Sequence, residues 1–270
     1  MRSLATTRFK LALCYLLSFA TVGLGFVLPV FWASLTAAAI IVGLAVYVAR
    51  NEGFAFLGLA FTKSAVLAFV VTFLLAAILV LSLFAWGIDR TGNVSVRWMS
   101  TWSTVLTTVL LQSFAEEVLF RAFLTRDFLL KRVQSVWFAA IVSASFFSVA
   151  HWVNYRLSEG VNLTWSPLLA LFLLGLSGTI LFLKQGHLMG AWGFHAGWNS
   201  VRFSFELRVG GKNLAESATF EIIEGSAMAL GVGALLVLAA VYPRAAKASL
   251  YAQTQKNDPI NPRDINPPKK

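Results

Sequence analysis

The sequence predicts an all-α, polytopic membrane protein of about eight transmembrane helices, with its chemistry on helices 4, 5 and 7. Three observations lead there. Of 270 residues, 58% are hydrophobic and 13% charged, with a mean hydropathy of +0.73, whereas a soluble domain carries about 25% charge. The charges are gathered rather than spread, and residues 11–49, 64–88, 98–115, 160–183 and 225–243 contain none. Each run reaches roughly the 18–20 residues that a helix needs to cross a hydrocarbon core of about 30 Å. A soluble core helix is shorter and interrupts its apolar stripe with polar residues.

Taken in order, the helices are expected near 11–29, 31–49, 64–86, 99–125, 135–155, 166–183, 188–205 and 225–242. The first two are divided at Leu28-Pro29-Val30, where proline removes a backbone donor and breaks the helix. The start, MRSLATTRFK before an apolar run, resembles a secretory leader. It shows no convincing small-residue cleavage site and the apolar sequence continues, so it reads as a retained first helix. The fourth, fifth and seventh helices carry ionisable residues. Residues 206–224, with Glu206, Glu216, Glu221 and Glu224 around Gly210-Gly211, read as a solvated connection. Residues 247–270, rich in Pro, Asn, Lys and Asp, read as a disordered cytoplasmic tail. The organisation is therefore 1–98 for helices 1–3, 99–246 for a core that carries the ionisable helices and 247–270 for the tail.

The net charge of +10 would suggest nucleic acid in a soluble protein. Here the basic residues lie mostly between apolar runs, and no nucleic-acid partner is expected. With the N-terminus inside, fifteen Lys and Arg fall on the inner side, including Lys63, Arg126, Lys131, Arg132 and Lys184. Five fall outside: Arg90, Arg97, Arg156, Arg208 and Lys212. That bias places both termini in the cytoplasm, and the short loops lean toward a bacterial inner membrane. Trp86, Trp98, Trp102, Trp137 and Trp165 near helix ends suit the membrane interface. The single cysteine, Cys14, can build neither an intramolecular disulfide nor a thiolate metal site.

Ionisable residues inside lipid cost at least about 2.5–3.5 kcal/mol each, so they need a reason. Glu116, Glu117 and Arg121 lie in the fourth helix, His151 in the fifth, and His195, Asn199 and Arg202 in the seventh. The third histidine, His187 beside Gly186, suits a capping or interfacial role. Glu117 and Arg121 are four apart, with acid before base, which pairs them on one face. Glu116 points about 100° away and meets only Phe120 at i+4. A carboxylate without a partner in low dielectric is the kind of group that works as a general base near neutral pH. His195 and Asn199 share a face and offer two donors suited to a developing oxyanion. Phe147 shares a face with His151 and can wall the imidazole off from solvent. Interhelical hydrogen bonding alone would not require adjacent glutamates, and would use Ser, Thr and Gln as often.

Glu116 to Arg121 reads EExxxR, Phe147 to His151 reads FxxxH, and His195 to Asn199 reads HxxxN. In that order, on three apolar helices, they resemble the CPBP family of CAAX proteases and bacteriocin-processing enzymes (the Abi group). The resemblance covers roughly residues 105–205. It implies an eight-helix intramembrane endopeptidase with a cavity opening toward the cytoplasm. It also implies Glu116 as the base that activates water with help from His151, His195 and Asn199 as the oxyanion pair, and Glu117 and Arg121 as supports that position Glu116. The implied substrate is a membrane-associated protein or peptide, prenylated in the CAAX-processing members.

Two questions follow from spacing. At about 1.5 Å per residue, Glu116 lies about 14 Å from the inner end of helix 4, and His151 about 24 Å from that of helix 5. They meet if helix 4 runs past Arg126, if helix 5 starts near Trp137, or if both tilt. Glu116, His151 and His195 could also serve as a three-ligand zinc site. The absence of an HExxH pair and the lack of a role for Asn199 favour a glutamate-type hydrolase without a cofactor. The alternative functions are a non-catalytic membrane partner or bacteriocin-immunity protein of the same fold, and a proton-coupled transporter. Against the transporter stands the lack of an internal repeat.

Overall fold

A computed structural model of the chain describes residues 58–59, 61–91, 94–98, 105–130, 135–158, 165–209 and 212–213, together with residues 39 and 43. The helices expected at 11–29, 31–49 and 225–242, and the tail at 247–270, lie outside the described residues.

Helix α1 spans Lys63–Thr91 and is followed by strand β1, Val94–Trp98. Helix α2 is continuous but changes its hydrogen bonding along its length. Val105–Gln112 and Val118–Leu129 have the wide π pattern, and Ser113–Glu117 between them is α-helical. Helix α3 is Val136–Ser158, α4 is Trp165–Gln185 and α5 is Met189–Ser204. Strands β2, Phe205–Val209, and β3, Lys212–Asn213, follow. Three described helices are long and apolar enough to cross a membrane, with spans at Lys63–Ser82, Val136–Val153 and Leu168–Gln185. The protein is an integral membrane protein.

Local sequence sets the helix ends. Thr62 Oγ1 accepts the Ala65 amide at 3.3 Å, and Ser135 Oγ accepts the Phe138 amide at 3.2 Å, each satisfying an otherwise orphan donor at a helix start. Pro167 falls in the first turn of α4, where its missing N–H costs no intrahelical bond. Gly186, at φ 71°, ends α4 in the left-handed conformation that glycine adopts without strain.

Two sequence-based expectations are revised. Helix α2 runs to Leu129 and α3 begins at Val136, so thirteen residues separate Glu116 from its helix end and fifteen separate His151 from its own. The two therefore lie at similar depth, counted in residues from the same end of the bundle. The connection after residue 205 is not wholly irregular. Its first part, β2, pairs antiparallel with β1 from Trp98↔Phe205 to Val94↔Val209, and β3 adds a third short strand. The fold is thus helical with a small ribbon at one end. The C-termini of α1 and α5 both meet that ribbon.

Lipid tails are as apolar as leucine, so helices in a membrane associate through close packing and interhelical hydrogen bonds. Helix α5 lays Gly193 and Gly197 against the backbone of α1 at Phe69 and Phe73, so closely that a Cβ at either glycine would collide with a carbonyl oxygen. Thr72 Oγ1 donates to the Gly190 carbonyl at 2.8 Å across the same contact. Helices α3 and α4 pack antiparallel, with Gly175 against Ala144 and Phe147 and Ser148 donating to the Leu168 carbonyl at 2.8 Å.

Candidate active site

The residues singled out on α2, α3 and α5 converge. Glu116 sits on the short α-helical turn of α2 between its two π stretches, a kind of irregularity often found at functional sites. Its Oε2 lies 3.3 Å from His151 Nε2 and 3.8 Å from His195 Nε2. Its Oε1 accepts a hydrogen bond from Gln112 Nε2 at 3.0 Å. Glu116 is therefore partnered, contrary to the expectation of an isolated carboxylate. The forward search to Phe120 missed its neighbour one turn back and the two imidazoles brought in by other helices.

Glu117 is almost wholly buried, and Arg121 is completely so. The expected i,i+4 pair forms, with Arg121 Nε 3.0 Å from Glu117 Oε2 and Nη2 donating to Oε1 at 3.2 Å. One of the two contacts is a hydrogen bond and the other a charge contact, so the guanidinium is tied to Glu117 at both oxygens but by a single directional bond. The pair turns toward His195 rather than toward Glu116, because Glu117 Oε1 also accepts from His195 Nδ1 at 2.9 Å.

These contacts fix both imidazole tautomers. The Phe147 carbonyl can only accept, so His151 Nδ1, 2.8 Å away, carries a hydrogen. The Glu117 carboxylate paired with Arg121 likewise only accepts, so His195 Nδ1 carries one too. In their neutral forms both histidines turn a bare Nε2 toward Glu116 Oε2. Three acceptor atoms meet with no donor among them, and Glu116 Oε2 makes no hydrogen bond among the described residues. Such a convergence is stable only when a hydrogen donor or a proton is shared within it.

Phe147 is fully buried at the centre of this cluster. Its ring lies 4.3 Å from that of His151, 5.7 Å from that of His195 and 5.1 Å from that of Phe120. The Arg121 guanidinium lies 5.3 Å from its centroid, within the range of a cation–π contact. The expected wall beside His151 is thus shared by both histidines. Asn199 lies one turn beyond His195, is buried and makes no hydrogen bond with the other described residues.

Two contributors escaped the sequence reading. Gln112, at i−4 from Glu116, could have been found by searching both directions along the helix. Gly178 on α4 lies against the Arg121–Glu117 pair, which no local spacing announces. His187 stays outside the cluster, in the turn between α4 and α5, where burial holds its imidazole below the ordinary histidine value. Among the described residues no group of three or more His, Cys, Asp and Glu side chains is arranged to hold a metal ion.

Comparison with known proteins agrees with the motif order. Residues 97–201 match the family described as type II CAAX prenyl endopeptidase Rce1-like. No curated protein and no solved structure matches the chain. The matched segment runs from the end of β1 into α5 and contains Glu116, Glu117, Arg121, Phe147, His151, His195 and Asn199. This segment is similar to the Rce1-like endopeptidases, and the match supports the resemblance to the CPBP family of membrane peptidases.

Proposed function

We propose that the protein is an intramembrane endopeptidase of the CAAX-processing kind, in which Glu116 and His151 activate water, and His195 and Asn199 stabilise the oxyanion. The observation that carries this reading is the meeting of Glu116 Oε2 with the two Nε2 atoms. A water bound among them donates to Glu116 and to His151 Nε2, and its oxygen is left free to attack a carbonyl carbon. Glu116 takes the water proton as the C–O bond forms and later delivers it to the departing amine, so one group serves as base and then as acid.

Charge bookkeeping supports the division of labour. Among the described residues, with both imidazoles neutral, Glu116, Glu117 and Arg121 leave the cluster with one uncompensated negative charge. Isolated charge is costly at membrane depth, so one additional proton completes the cluster. Placed on His195 Nε2, that proton supplies the donor the oxyanion needs, while Glu117 at Nδ1 stabilises the imidazolium. Asn199, whose amide makes no hydrogen bond with the other described residues, is the second donor. In this reading Glu117 and Arg121 act by orienting and charging His195.

The end of the bundle that carries Lys63, Arg126 and Lys184 faces the cytoplasm by charge bias, and the substrate is a membrane-associated, prenylated protein or peptide. A bacterial inner membrane is the setting we favour. The test is cleavage of a quenched prenylated CAAX peptide by the purified protein in detergent, with and without excess chelator. Cleavage that persists in chelator supports a glutamate-type hydrolase. Loss on chelation with recovery on adding Zn²⁺ would replace it with a zinc-dependent reaction. No cleavage would remove the prenylated peptide as substrate and favour a non-catalytic partner or immunity protein.

A further inference from the structure

Helix α4 contributes no motif residue, yet it touches the most buried part of the site. A Cβ built on Gly178 would lie 2.7 Å from Arg121 Nη2, 3.1 Å from Arg121 Nε and 3.2 Å from Glu117 Oε2. The first distance is one that side chains do not tolerate, so a substituent there must displace the guanidinium. Arg121 has little freedom to yield. It is fully buried, lies near the Phe147 and Phe120 rings and is held by both carboxylate oxygens of Glu117. A forced shift therefore passes to Glu117, and from Glu117 Oε1 to His195 Nδ1.

We propose that Gly178 is a positioning residue of the site. Its missing side chain lets the Arg121 guanidinium lie close against α4, which keeps Glu117 on His195 Nδ1 and turns His195 Nε2 toward Glu116. The proposal rests on the functional reading above, but its structural part can be tested without a substrate. The chain has three histidines, so the His195 signals in a ¹⁵N-histidine NMR spectrum of the intact protein in detergent can be assigned with single His→Gln variants.

The expected result for Gly178→Ala is a shift of the His195 Nδ1 signal, as its hydrogen bond to Glu117 weakens, with the His187 signals unmoved. Where the prenylated peptide is cleaved, kcat falls roughly tenfold to a hundredfold, the scale of a small misplacement of reacting groups, with KM within about twofold. The decisive control is the Arg121→Lys background, since lysine keeps the charge but lacks the Nη2 atom that collides. There Gly178→Ala should cause no further change in kcat or in the His195 spectrum. An unchanged His195 Nδ1 signal in Gly178→Ala, or an equal loss in both backgrounds, would overturn the proposal in favour of plain helix packing. If Gly178→Ala alone fails to fold, folding of the double variant supports the collision with the guanidinium, and failure of the double variant refutes it. Should the wild type cleave no peptide, the functional reading fails while the NMR comparison still decides the positioning role.

Discussion

Helix α5 has two working faces, and they are built on opposite principles. Gly193 and Gly197 lie against α1, while His195 and Asn199, two residues and about 200° further round the helix, are the residues proposed for the site. The glycine face is held by backbone proximity and the Thr72–Gly190 hydrogen bond. The other face brings an imidazole to two carboxylates. The first supplies rigidity with residues that have no chemistry of their own. The second carries groups that the membrane disfavours and that the helix alone could not hold in register. The lesson is that the glycine face aims the histidine face: pressing α5 onto α1 fixes which way His195 points.

The comparison can be broken at four places. The largest expected effect is at Arg121→Met, which leaves Glu117 buried without its counter-charge. Losing one partner of a buried pair costs about 3–5 kcal/mol, visible as a lower melting temperature and as lost cleavage. Adding Glu117→Gln should recover much of the stability and none of the activity, because His195 still lacks its carboxylate. Next comes Asn199→Ala, expected to lower kcat by about 10²-fold, as removal of one oxyanion donor does, with melting unchanged. On the opposite face Gly197→Val should destabilise by about 1–3 kcal/mol, as overpacking does. Its activity should fall through displacement of the whole helix. The smallest effect is at Thr72→Val, where one interhelical hydrogen bond is worth about 1 kcal/mol, read by thermal unfolding with kcat retained.

The contacts of the candidate site were largely legible in the sequence because its parts repeat at helical spacing. The Glu117–Arg121 pair and the Phe147–His151 contact are i,i+4 relations, and both are present in the fold. That Glu116, His151 and His195 meet could be expected from three ionisable groups sharing the cost of burial. Local spacing could not say which carboxylate each imidazole would face. The Glu117–His195 bond spans 78 residues and depends on how α5 crosses α2. The role of Gly178 is defined by a side chain it lacks, and it becomes visible only against Arg121. The π stretches of α2 were also hidden. In the second of them the Phe120 carbonyl accepts from Thr125 Oγ1 at 2.7 Å and from Ser143 Oγ at 3.2 Å, so part of that local pattern is answered by a neighbouring helix. The ribbon of β1 and β2 joins segments more than a hundred residues apart, beyond any local signal.

The most direct measurement is kcat for cleavage of the quenched prenylated CAAX peptide by Glu116→Gln beside the wild type, with thermal unfolding of both. Glutamine keeps the shape of the side chain and its contact with Gln112 while removing the base. The expected result is a loss of about 10²–10⁴-fold, the range of general base catalysis, at an unchanged melting temperature. A folded Glu116→Gln protein that cleaves at the wild-type rate would contradict the assignment of Glu116 as the group that activates water.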